Sequence, residues 1–270
     1  MNRRLRRIGH YLHLYGVFAK NNLIGFMEYR ANFYASLTME IVFLLSKLVY
    51  VLFAFSFGGS IGGMSPDQVM LYTGVYTIMI AIYTGAFMEN LFGLSGLVTS
   101  GALDMYMTKP LSLLFMVSLR RMNFALPIPN LAAGLTMLIT AWRHLGIPVN
   151  AGNILGLLGI IVSSTIVMYS AFMIPQALSF RFVKSSALTE LTDKTWDLNN
   201  MPMAIYSEPI RRIGMFFVPI LFMTNMPTLY LIGRMTLTYA IWVCAAPAVF
   251  FPALLILWKR GLRRYASASS

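Results

Sequence analysis

Six apolar runs, each about as long as a bilayer is thick, follow one another along the chain at Phe33–Phe57, Gln68–Phe92, Phe124–Trp142, Asn153–Phe180, Ile213–Gly233 and Met235–Trp258. Little water-exposed structure is possible with that pattern. Only 11% of the 270 residues are charged and 58% are hydrophobic, against about 25% charged in an ordinary soluble domain. A soluble globular fold is therefore excluded, because its surface could not be covered. Disorder is excluded too, since disordered chains are polar and highly charged. The reading is an all-α integral membrane protein with six transmembrane helices.

The excess of 21 Lys+Arg over 9 Asp+Glu would point to nucleic acid in a soluble protein. Here most of the basic residues lie between or beside the apolar runs, so they report topology instead, and no nucleic-acid partner is expected. Arg3, Arg4, Arg6 and Arg7 at one end and Lys259, Arg260, Arg263 and Arg264 at the other place both termini in the cytoplasm. Loop 58–67 has no Lys or Arg and reads as outside, and segment 93–123 with Lys109, Arg120 and Arg121 reads as inside. Loop 143–152 carries only Arg143 and reads as outside. Segment 181–212, with Arg181, Lys184, Lys194, Arg211 and Arg212, reads as inside. The expected location is the inner or plasma membrane.

The basic N-terminus is followed by no uninterrupted apolar stretch and cleavage site, so it does not read as a signal peptide. Leu5, Ile8, Leu12, Tyr15, Phe18, Ile24 and Met27 recur at roughly helical spacing among polar residues. This predicts an interfacial helix over 5–30; a frayed basic tail is the alternative. No repeat of 20–50 residues is visible, so residues 1–265 form one domain and 266–270 a disordered tail.

Residues 185–212 are too polar for a simple span and too long for a short connection. Pro202, Pro209, Pro219 and Pro227 punctuate the stretch 200–230. Proline breaks helices, and broken helices persist in membranes only where protein or a watery cavity covers the backbone. Residues 200–230 thus read either as one span or as re-entrant hairpins.

The sequence lacks a phosphate-binding G-x-x-x-x-G-K-[ST] loop and an H-E-x-x-H motif. Single Cys244 excludes an intrachain disulfide and a cysteine-only metal cluster. His10 and His13 lie one helical turn apart but have no nearby carboxylate, so no metal is expected. Gly93, Ser95 and Gly96 match the G-x-S-G signature of rhomboid proteases, yet no histidine lies in any apolar run to activate the serine. No catalytic residues are assigned.

Ionisable residues inside the runs say more. Glu40 and Lys47 share a face of the first run, about 10 Å apart along the axis. Each costs roughly 2.5–3.5 kcal/mol to insert and needs a partner or water. Two readings stand: a polar substrate path or subunit contact, and a mutually compensating pair. Glu89 closes the second run, either as a helix-end residue near water or as a proton carrier. The methionines of the runs offer adaptable apolar surface, for substrate or for lipid. Gly152-x-x-x-Gly156 is a weak signal for close helix approach.

The segment Ser100–Ser112 is the most specific feature. Gly101 breaks the preceding helix; Leu103, Met107 and Leu111 share a face; Asp104 and Lys109 stay polar; and Pro110 ends the short helix. This predicts an amphipathic helix over about 100–112 beneath the membrane, suited to docking a cytoplasmic partner or serving as a solvated connector.

The pattern G-x-L-D-x-x-x-x-K-P-L, met by Gly101, Leu103, Asp104, Lys109, Pro110 and Leu111, resembles that of the permease subunits of ABC-2 type exporters. Leu178-Ser-Phe180, Pro202–Tyr206, Val218-Pro219 and Met226-Pro227 extend the resemblance over nearly the whole chain. It implies that segment 100–112 is a coupling helix, with Gly101, Leu103, Asp104, Met107, Lys109 and Pro110 as the ATPase-coupling residues. It implies two facing permeases, like or unlike, and separate ATP-binding cassette subunits that bind ATP and Mg; this chain itself would hold no cofactor and hydrolyse nothing. It implies an efflux substrate that is hydrophobic or a cationic aromatic; Glu40 and Glu89 suit a cation, whereas Lys47 opposes one. It also implies re-entrant helices before the last span, with residues 185–201 as the fifth span and Arg211 and Arg212 outside. That conflicts with the loop-charge count, and the prolines favour the family arrangement. The competing readings are a secondary transporter working without an ATPase, which would carry interrupted helices in both halves, a membrane-embedded enzyme, and a structural membrane subunit.

Overall fold

A computed structural model gives the architecture and describes residues 3–57, 60–180, 190 and 194–265. Residues 185–189 and 191–193 of the fifth span implied by the resemblance (185–201), and the tail 266–270, lie outside the described residues. Eleven α-helices are described: α1 (Arg3–Glu28), α2 (Arg30–Phe57), α3 (Pro66–Ala86), α4 (Met88–Thr99), α5 (Leu103–Met107), α6 (Leu113–Leu119), α7 (Pro127–His144), α8 (Ala151–Ala177), α9 (Glu208–Arg212), α10 (Phe222–Leu231) and α11 (Leu237–Leu262). Among the described residues there is no strand.

Four of these stretches are long and apolar enough to cross a membrane: Arg30–Ser56, Pro66–Ala86, Ala151–Phe180 and Leu237–Leu262. Helix α7, predicted as a span from Phe124, starts only at Pro127. Pro127 and Pro129 occupy its first turn, where backbone N–H groups have no helical partner to lose.

Helix α3 is the central post. Ser65 and Gln68 form a reciprocal cap at its start, with Pro66 in the first turn. Its residues are buried nearly all round from Val69 to Thr84, as expected of a helix apolar on every face. Its most extensive neighbour is α7. There Gly74 and Gly134 face each other: a Cβ on Gly74 would lie 2.8 Å from the Leu138 nitrogen, and one on Gly134 would lie 3.0 Å from the Gly74 oxygen. The backbones meet because neither carries a side chain. Gly152 and Gly156 act otherwise. They receive Tyr230, whose hydroxyl donates to the Gly152 carbonyl at 3.0 Å and fills the space a Cβ on Gly156 would take.

The apolar run Ile213–Gly233 is not one straight helix. Glu208–Phe217 and Phe222–Leu231 are set at 101° to each other. The break falls at Val218-Pro219, where proline removes a donor and drives the preceding residue out of the helical region; Val218 sits at φ −118°, ψ 80°. The loosened backbone is not left bare, since Trp242 Nε1 donates to the Met215 carbonyl at 3.0 Å.

The bundle has two distinct ends. One carries the α2–α3 turn, where Asp67 meets His144 at 2.9 Å and Arg234 donates to the Gly63 carbonyl at 3.0 Å. Arg211 and Arg212 border a hollow with Thr236 and Tyr239 at the start of α11, which puts them at this same end. The loop-charge reading, which grouped them with Arg120 and Arg121, is therefore corrected: the bent pair reverses the chain within the bundle. At the opposite end α1 lies across α6. Tyr11 accepts a hydrogen bond from the Ser112 amide at 3.1 Å, and its ring packs edge-on against Phe115 at 4.7 Å.

Candidate functional site

Segment 100–112 sits at the end spanned by α1. Ser100 closes α4, and Gly101 turns the chain in the left-handed region (φ +73°) that glycine adopts without strain. Helix α5 is five residues long, little more than one turn. The expected stripe of Leu103, Met107 and Leu111 needs more than two turns and does not form. Leu103 alone is fully buried in the main core, Met107 is 51% exposed, and Leu111 lies beyond the helix. The helix also ends at Met107 rather than at Pro110; the Lys109 amide turns back to the Tyr106 carbonyl at 3.2 Å.

Asp104 does not simply face solvent. Its carboxylate lies against Tyr265, just past α11; partial burial and that carboxylate hold the phenol above its usual pKa. The Arg120 guanidinium lies 4.9 Å from the centre of the Tyr106 ring. What points outward is Met105 at 71% exposure, with Met107, Lys109 and Pro110. The result is a knuckle anchored by Leu103, Asp104 and Tyr106, with an apolar and basic outer face.

Asn90 fixes the neighbouring chain. Its side chain donates to the Arg121 carbonyl at 2.7 Å and accepts from the Arg121 amide at 2.9 Å. Glu89, in the first turn of α4, accepts from Asn123 at 2.8 Å. It therefore sits at this end of the bundle as a half-buried helix-start residue.

Glu40 and Lys47 do not compensate each other. Asn130 of α7 donates to Glu40 at 2.5 Å. Lys47 donates to the Asn200 side-chain oxygen and lies 4.8 Å above the Tyr76 ring. Tyr76 donates to that same oxygen at 2.8 Å. One turn along, the Tyr72 hydroxyl lies 2.8 Å from the Asn199 carbonyl and 3.1 Å from Thr224, and Thr224 donates to Asn199 at 2.9 Å. Trp196 stacks on Tyr83 with ring centres 5.1 Å apart. Residues 194–203 thus run along α3, and Lys47 and Tyr72 are bolts that hold them there. Sequence reasoning missed Asn90, Asn130, Asn199 and Asn200. For Asn90 and Asn130 a signal existed, because an amide inside an apolar run must find partners.

Among the described residues no three His, Cys, Asp or Glu side chains gather as metal ligands do. Four long apolar helices, one of them a central post, and a bent helix pair are the architecture of a helical protein able to cross a membrane several times.

A family model described as ABC-2 family transporter protein matches residues 41–269. The chain belongs to that family, as a membrane permease. The matched stretch includes Lys47, Glu89 and the whole of α3 to α11, and leaves out α1 and Glu40. Comparison with curated proteins and with solved structures finds no match.

Proposed function

We propose that this chain is the permease subunit of an ATP-driven exporter, coupled through α5 to separate ATP-binding cassette subunits that hold and hydrolyse ATP with Mg. The observation that carries this reading is the knuckle. A five-residue helix is pinned from behind by a fully buried leucine while Met105, Met107, Lys109 and Pro110 project outward. Force applied there passes directly into α4 and α6, because Leu103 belongs to the same core as Leu91, Leu94 and Val117. Methionine is an adaptable contact surface, and the flanking Lys109 suits an acidic rim.

Six crossings are proposed: α2, α3 with α4, α7, α8, a fifth assigned to 185–201 by the family resemblance alone, and α11, with the 208–231 pair re-entering from the outer side. Both termini are cytoplasmic in this arrangement, alongside Arg120, Arg121, Lys259 and Arg260. A second permease, like or unlike, completes the path, and ATP binding and hydrolysis alternate its access. The cargo class is a hydrophobic or cationic aromatic compound.

The test is affinity purification of the chain from its native membrane in mild detergent, with mass spectrometry of stoichiometric partners. The expected result is an ATPase bearing a phosphate-binding loop. Met105→Glu with Met107→Glu should lose that ATPase while leaving the permease's melting point unchanged, since both side chains are exposed. A wild-type chain that purifies alone and transports by itself overturns the proposal in favour of a secondary transporter.

A further inference from the structure

A cleft of 610 Å³ opens between α1 and the turn leading out of α6. Phe18 and Phe26 supply apolar wall, and Asn21, Asn32, Arg120 and Arg121 supply polar groups. We infer that this cleft binds the phosphate of an anionic glycerophospholipid headgroup, with the acyl chains leaving along α1.

Three observations converge on a phosphate. First, the two guanidiniums are adjacent, exposed and not neutralised. Among the described residues the ion pairs are His144–Asp67 and Arg212–Glu208. Glu89 borders the adjoining hollow with both arginines, but its hydrogen bond comes from Asn123. Second, the arginines are presented on a fixed backbone. Asn22 donates to the Arg120 carbonyl at 2.9 Å, and Asn90 holds both the amide and the carbonyl of Arg121. Arg120 lies over Tyr106, so its N–H edge remains available. A guanidinium fork matches phosphate oxygens in geometry as well as charge. Third, the apolar surface beside the cleft suits acyl chains rather than water. Phe18 and Phe26 of α1 and Tyr29 just past it line the cleft with aromatic rings, and Tyr29 is 65% exposed. An amphipathic helix at the interface sets such residues at headgroup depth. A free phosphate would use the arginines and leave this surface unexplained. The inference concerns lipid and stands apart from the ATPase coupling of α5.

The experiment uses the full chain, with whatever subunits co-purify, in phosphatidylcholine nanodiscs doped with photoactivatable phosphatidylglycerol. Crosslinked peptides are mapped by mass spectrometry. Labelling is expected to concentrate on residues 18–32 and 106–121, several-fold above that from photoactivatable phosphatidylcholine. Arg120→Gln with Arg121→Gln should remove this excess and leave labelling of α2 and α11 unchanged, while Arg120→Lys with Arg121→Lys should keep only part of it. Equal labelling by the two lipids in the wild-type chain, which needs no variant to fold, overturns the inference. So does full displacement by millimolar inorganic phosphate, which would make a soluble anion the ligand.

Discussion

Replacing Gly74 or Gly134 by alanine tests whether the α3–α7 contact organises the bundle. A Cβ on Gly74 would stand 2.8 Å from the Leu138 nitrogen, 3.0 Å from the Gly134 oxygen and 3.2 Å from the Leu138 Cα. All three are backbone atoms, so no rotamer change relieves them. One on Gly134 would meet the Gly74 oxygen and the Ile78 nitrogen, each at 3.0 Å. Ordinary contact begins at 3.4 Å, so the helices must part by roughly half an ångström, and a gap of that size forfeits about a quarter of the dispersion energy of each facing atom pair. Overpacking of this kind costs about 1–3 kcal/mol, or about 2–4 °C of melting midpoint per kcal/mol in a chain near this size. Each single variant, purified in detergent and melted against wild type, should lose several degrees. The double variant should lose clearly less than the sum, because both methyl groups demand the same separation. Singles that melt with wild type, or a double that is fully additive, would refute close backbone approach as the basis of this contact.

Asn200→Leu should destabilise the chain by about 1–3 kcal/mol, since it strands the Lys47 ammonium and the Tyr76 hydroxyl that share one amide oxygen. Adding Lys47→Met should restore much of the loss in the same melting assay, and simple additivity would show that the two do not interact. Tyr265 makes a pH prediction. Its folded pKa is raised, so its contribution is intact below the usual phenol value of about 10 and is lost as pH rises through the higher folded value. Tyr265→Phe should therefore flatten the alkaline limb of stability, and an unchanged limb would remove Tyr265 from the contact with Asp104.

Much of the architecture was legible in the chain itself. Apolar runs mark helices in a membrane because an unpaired backbone is intolerable there, so α2, α8 and α11 emerge close to their expected bounds, whereas the second run, expected over Gln68–Phe92, breaks at Phe87 into α3 and α4. Gly101 and Pro219 act through local backbone rules and break helices where those rules require. The spacing of Gly101, Leu103, Asp104, Lys109 and Pro110 pointed to the ABC-2 family, and the family match agrees.

Partnership across the chain was not legible. Glu40 and Lys47 share a face and so read as a pair, yet Asn130 and Asn200 claim them, 90 and 153 residues away along the chain. Met107 looks like a core residue by spacing and is exposed because α5 ends within about a turn. Charge counting put Arg211 and Arg212 with the inner loops, whereas the 101° bend carries them to the other end. Periodicity and proline placement act over a few residues and depend only on neighbours along the chain. Which side chain satisfies a buried charge, and which end of the bundle a loop reaches, depend on how helices distant in sequence pack, so those two matters were decided by the tertiary structure alone.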